Sequence, residues 1–120
     1  MSSKRMCSFR SFFLVVVCSL SYALAQSKPD HNLLTQVLKK HVSSGAVDYG
    51  GIKNDKRFDE YLVALMNTDV STLKEGNERL AFWINAYNAF TIKLILDNYP
   101  VNSIRDIKQG DKGPWDVVWI

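Results

Sequence analysis

The chain has 120 residues, 15 basic against 12 acidic, a formal charge of +3 and two cysteines. Lys4, Arg5 and Arg10 account for that whole excess, and Cys7 and Cys18 lie in the same leading segment. Without that segment the charges balance and no thiol remains. This excludes a disulfide framework and a cysteine nucleophile within residues 26–120, and it implies no basic patch for nucleic acid or anionic lipid.

Residues 1–25 read as a secretory signal peptide. A basic start precedes the apolar run Phe12-Phe13-Leu14-Val15-Val16-Val17, and Ala23-Leu24-Ala25 supplies a small-x-small cleavage site. The run falls short of the roughly 20 apolar residues of a membrane span. A lipoprotein signal at Cys18 is disfavoured because Val17 precedes it where a small residue is usual. An uncleaved anchor is the alternative. The expected location is secreted or periplasmic, with no membrane association after cleavage near Ala25.

Residues 26–120 are read as one domain or part of one, with Gln26 to Pro29 as an exposed lead-in. Asp30 caps a first helix running to about Val42, with Leu33, Leu34, Val37, Leu38, His41 and Val42 on its apolar face. Ser43-Ser44-Gly45 ends it. Val47 to Ile52 reads as a short extended piece entering a glycine turn. Asn54 or Asp55 caps a second helix whose apolar face is Phe58, Tyr61, Leu62 and Leu65.

Asn77 to Pro100 reads as a long central helix, with Asn77 as cap, Glu78 in its first turn, Pro100 as the stop and Asn98-Tyr99 ahead of it pushed towards extended geometry. It is apolar almost all the way round. At about 100° per residue, Arg79, Lys93 and Asp97 fall on one stripe with Ala86 between them. That stripe is the expected solvent face. Trp83, Tyr87, Phe90 and Leu94 form one flank, read as core rather than a stacking platform. Asn85 and Asn88 fall opposite the charges, among Ala81, Ile92, Ile95 and Leu96, with Glu78 at the edge. A buried amide costs about 1–3 kcal/mol if unpaired. The two amides are therefore either tethers for neighbouring backbone, the weightier reading, or the lining of a polar pocket.

Further along, Ser103-Ile104-Arg105-Asp106 has capping-box spacing for a short helix or turn. Gln109 to Pro114 is a polar loop. Trp115 to Ile120 reads as the opening of a strand. A strand there has no evident partner, so the expectation is an incomplete α+β domain. It is mostly helical, with three main helices, a short one, and a strand beginning at the carboxyl end.

Asn77 to Ile107, with LAFWINAYNAFTI, DNYPV and SIRDI, resembles the family called domain of unknown function 547. VDYGGIK (Val47 to Lys53) and GPWD (Gly113 to Asp116) are similar to it as well. The resemblance implies more chain beyond Ile120: a strand, a helix carrying a His, and His and Cys residues ahead of a Ser-Cys-Pro stretch. If family members are enzymes, those groups would be nucleophile and base of a thiol-type site broadly similar to transglutaminase or papain-like hydrolases. This chain would then supply Asn85 and Asn88, with Glu78, in an orienting role, and would be silent alone. The alternative is a non-catalytic envelope binding module.

Other candidates are weaker. His41, on an apolar face, reads as a satisfied interior group. Tyr49 beside Gly50-Gly51 could edge a pocket, or simply pack. Glu78 and Asp48 would pair only if the fold joined them. No metal-ligand spacing and no cofactor motif is present. The candidate binding or orienting residues are thus Asn85, Asn88, Glu78 and Tyr49. The partner is unknown, with an envelope or extracellular ligand left open.

Overall fold

The structure, a computed structural model, describes residues 28–116. The leader with its cysteines and residues 117–120 lie outside the described residues, and so does most of the expected carboxyl-terminal strand. Trp115 and Asp116, which were to open it, sit in a turn. The described chain is α+β and mostly helical, with a single two-stranded antiparallel sheet among the described residues.

Helix α1 spans His31–His41, capped by Asp30, whose carboxylate accepts from the Asn32 amide at 2.9 Å. Its inward residues are Leu34, Val37 and His41, from the predicted face. Val42 leaves the helix and enters a hairpin. Strand β1 (Val42–Ser43) pairs with β2 (Ala46–Val47), with Val42 opposite Val47. Ser44 and Gly45 turn the chain with φ of 51° and 78°, the geometry that favours a two-residue hairpin loop.

Val47 of the expected extended piece ends β2, and from Tyr49 on the piece is instead a short helix. Helix α2 (Tyr49–Lys53) is capped by Asp48, which accepts from the Gly51 amide at 2.8 Å. An aspartate followed by a tolerant pair of glycines is a cap as readily as a turn, and the cap bond decides between them. Helix α3 (Lys56–Met66), capped by Asp55, buries Phe58, Tyr61, Leu62 and Leu65, all four predicted inward. A 3-10 turn at Val70–Thr72 leads to helix α4 (Asn77–Asp97). Gly76, at φ 84°, takes the cap position expected for Asn77. A second 3-10 turn covers Ile104–Asp106, with the Ser103 hydroxyl accepting from the Arg105 amide at 3.2 Å.

Helix α1 packs on α3, and α2 packs on α4. One core joins Leu34 and Val37 to Ile52, to the inner face of α3, to Leu73, and to Phe82, Ala86, Ala89, Phe90 and Leu96 of α4.

The orientation of α4 is the main correction to the sequence reading. The buried face is Phe82-Ala86-Ala89-Phe90, so Ala86, expected under the solvent stripe, is 1% exposed. Leu80, Trp83, Ile84 and Tyr87 point outward at 58%, 43%, 51% and 62% exposure. The charged residues fall in the same sector as the buried face, at its two ends, and reach outward from it. Lys93 pairs with Asp97 at 2.6 Å, and Arg79 reaches Glu75 and the Leu73 carbonyl. Long charged side chains can run along an apolar surface and keep their heads in water, so a few of them do not decide a helix's outer side. Two alanines on one face let α4 approach its neighbours closely, and they decide it here. Among the described residues no helix is long and apolar enough to cross a membrane.

Candidate functional site

Three features compete as a site: an apolar groove, a polar joint and the free side of α4. The groove lies between the end of α3, the Thr68–Val70 connection and α4. It encloses about 280 Å³ and is lined by Leu65, Met66, Thr68, Val70, Phe82, Trp83, Ala86 and Phe90. Phe82 and Trp83 meet edge to face, with ring centroids 5.2 Å apart. The one hydroxyl in the wall, on Thr68, is turned back to the Ala64 carbonyl at 2.7 Å. Apart from the Trp83 indole N–H, the walls are aromatic and aliphatic, a lining suited to a hydrocarbon ligand.

The polar joint surrounds His41. Its Nε2 donates to Asp55 Oδ2 at 3.0 Å, and its Nδ1 stands 3.7 Å from Asp48 Oδ2. Asp55 also accepts twice from the Arg57 side chain, from Nε at 2.9 Å and from Nη2 at 2.6 Å, and once from its backbone amide at 3.2 Å. The Lys40 ammonium lies 3.5 Å away. One buried carboxylate thus caps α3, anchors the end of α1 and binds a guanidinium in fork geometry. Arg57 and then His41, through their hydrogen bonds, hold the Asp55 carboxyl well below the usual carboxylate range. His41 is the satisfied interior histidine the sequence suggested.

That depressed carboxyl has a consequence for acid stability. Below the unfolded-state value near 4, the unfolded chain takes up a proton at Asp55 and the folded chain does not. The contribution of Asp55 is complete above that value and is lost as pH falls further. Thermal melts taken from pH 6 down to pH 2 should therefore show a loss for the native chain that begins near pH 4 and steepens below it. Asp55→Asn should start lower at pH 6 and change less over the same interval. Parallel curves would remove Asp55 as the acid-sensitive group.

The residues singled out in the sequence are dispersed. Asn88 is exposed and Asn85 half-buried, and neither amide bonds to another described residue. They do not point into the core: the buried face of α4 is turned away from Asn88, and Asn85 lies at its margin. Glu78 is half-buried in the first turn of α4. Its carboxylate accepts from Lys28 Nζ at 2.6 Å and from the Lys74 amide at 2.8 Å. Those two bonds, Lys28 first, lower its carboxyl. It borders a second hollow of about 180 Å³ with Lys28, Pro29, His31 and Phe82. Asp48 is engaged with Gly51 and His41, so each carboxylate has its own partners. Tyr49, first residue of α2, is half-buried and packs against the core. His31 Nδ1 meets the Tyr61 hydroxyl at 2.7 Å, and burial pushes that hydroxyl up to about 12, which keeps it a neutral donor. Met66, Thr68 and Val70 escaped the sequence reading. The only hint of them was a β-branched, small-residue connection between two apolar helices.

These features define a small helical α+β domain with an apolar groove and no assembled catalytic set among the described residues. Residues 70–117, from the first 3-10 turn through α4 to the carboxyl-terminal loop, match the family described as "Protein of unknown function, DUF547". The match covers the stretch around α4 in which the resemblance was read. No curated protein and no solved structure matches the chain.

Proposed function

We propose that the chain is an exported binding module of this family that takes an uncharged hydrocarbon ligand, about one aromatic ring or a short chain in size, between α3 and α4. Export rests on Lys4, Arg5 and Arg10, the run Phe12–Val17 and the Ala23-Leu24-Ala25 site. Binding rests on one observation: a groove of about 280 Å³ whose single hydroxyl is already bonded within the protein. An apolar cavity of roughly 150 Å³ is enough to stay dry and accept benzene.

The catalytic alternative, a thiol-dependent hydrolase or transferase oriented by Asn85 and Asn88, draws less support. Asn88 is exposed and Asn85 sits at the margin of the buried face, so the two amides that reading relies on line neither hollow among the described residues.

Trp83 in the wall reports on occupancy. In a chain carrying Trp115→Phe and Trp119→Phe, titration with toluene should change Trp83 emission along a saturating curve. Val70→Phe, which fills the groove, should abolish that curve while its circular dichroism stays native. A linear response equal in both chains would end the binding proposal.

A further inference from the structure

The second hollow, between the lead-in to α1 and the first turn of α4, is lined differently from the groove. An ion pair stands in its wall, Lys28 Nζ to Glu78 Oε1 at 2.6 Å. The two side chains are 51% and 32% exposed, so the pair contributes little to stability and opens at little cost. Glu78 keeps its place when the pair opens, because its other oxygen accepts from the Lys74 amide at 2.8 Å. Lys28 sits on a flexible four-carbon stem and can swing. His31 supplies a further donor. The buried Tyr61 hydroxyl donates to its Nδ1 at 2.7 Å, which assigns the imidazole proton to Nε2. No described residue accepts from that nitrogen. Leu73, Ala81 and Phe82 give the hollow an apolar floor.

The charged pair in this wall has one member of each sign. A lone cation on Glu78 would leave Lys28 without its partner, and a lone anion on Lys28 would do the same to Glu78. A ligand with an ammonium and a carboxylate of its own inserts between the two and leaves every charge matched. Its ammonium takes the place on Glu78 Oε1 that Lys28 Nζ now holds. Its carboxylate accepts from Lys28 and from His31 Nε2. Its remaining carbon atoms meet the apolar floor. The size agrees: the hollow encloses about 180 Å³, against roughly 150 Å³ for a cavity that accepts benzene. A molecule somewhat larger than benzene fits, and a small amino acid is one.

We infer that this hollow binds a free α-amino acid with a short apolar side chain, its ammonium on Glu78 and its carboxylate on Lys28 and His31. This goes beyond the groove reading and does not depend on it. The Lys74 amide, bonded to Glu78, reports on the site. In the isotope-labelled full chain its NMR signal should move along a saturating curve as L-leucine is added in the millimolar range. Isoamylamine, which lacks the carboxylate, and isocaproate, which lacks the ammonium, should each bind roughly tenfold more weakly or worse. Glu78→Gln keeps an acceptor for the Lys74 amide and should weaken leucine by a similar factor. Lys28→Ala should weaken leucine too. Were Lys28 only a competitor for Glu78, that variant would bind leucine more tightly. Ala81→Leu, which fills the floor, should abolish the curve with circular dichroism unchanged. The groove-filling Val70→Phe should leave it as it is, which separates failure of this site from failure of the groove. No saturation with leucine, isoamylamine binding as tightly as leucine, or tighter leucine binding by Lys28→Ala would overturn the assignment.

Discussion

Gly51→Ala should destabilise the protein by roughly 1–3 kcal/mol, although helix propensity alone points the other way. Alanine in a helix is favoured over glycine by about 1 kcal/mol. Gly51 also has no left-handed backbone to excuse it. The obstacle is space. A Cβ at this position would lie 2.2 Å from Asp48 Oδ2, 2.5 Å from His41 Nδ1 and 2.8 Å from His41 Cε1. Asp48 is exposed and can swing away, but doing so gives up its bond to the Gly51 amide, the cap of α2. The His41 ring cannot yield cheaply. It is buried, and its Nε2 is fixed to the carboxylate that also caps α3. Gly50→Ala is the matched control. Its Cβ would meet nothing nearer than 3.6 Å, so propensity decides and the variant should be unchanged or up to about 1 kcal/mol more stable. Urea unfolding of the two variants should move the midpoint in opposite directions. A stabilised Gly51→Ala would mean that the joint of His41, Asp48 and Asp55 is looser than its distances say.

The two amphipathic helices were readable from periodicity because each has one apolar side. Phe58, Tyr61, Leu62 and Leu65 sit at helical spacing with Asp59, Glu60 and Val63 between them, and that face is the buried one. The caps were readable too, since Asp30 and Asp55 precede apolar repeats and close on the amides two residues on. His41 could be assigned to the interior from its place on the apolar face of α1. Its partner could not, because Asp55 lies 14 residues away and only the hairpin brings it back. The hairpin itself is two residues per strand, below the length at which alternation shows. Its one signal is Ser44-Gly45 between two valines. At Tyr49-Gly50-Gly51 the glycines suggested a turn by conformational freedom. Their need is different: Gly51 is there for the close approach of the imidazole.

The groove was the least legible feature. It is assembled from α3, a connection and α4, and its walls carry no residue type that marks chemistry in a sequence. Asn85 and Asn88 drew attention because amides stand out in an apolar run. Prominence in a run says nothing of direction when the helix has little net amphipathicity. The wheel gave their angle relative to the charges correctly. It placed the core on the wrong side of them, because Ala86 and Ala89 offered the closer packing surface.

That orientation makes Phe82 and Tyr87 the decisive pair. The two aromatics stand five residues apart on one helix, and composition treats them alike. Phe82 is 4% exposed and packs in the core, whereas Tyr87 is 62% exposed. Phe82→Ala removes a ring from packed surroundings and should cost about 3–5 kcal/mol. For a domain of this size that is a large share of a total near 5–15 kcal/mol, enough to leave the variant partly unfolded at 37 °C. Tyr87→Ala should stay within about 0.5 kcal/mol of the native chain. The mutation deletes exposed surface and leaves no cavity. The charged-stripe reading of α4 would place Tyr87 inward and exchange the two outcomes. Denaturant midpoints for both variants, taken with equal slopes so that compactness is unchanged, therefore decide which face of the helix the protein buries.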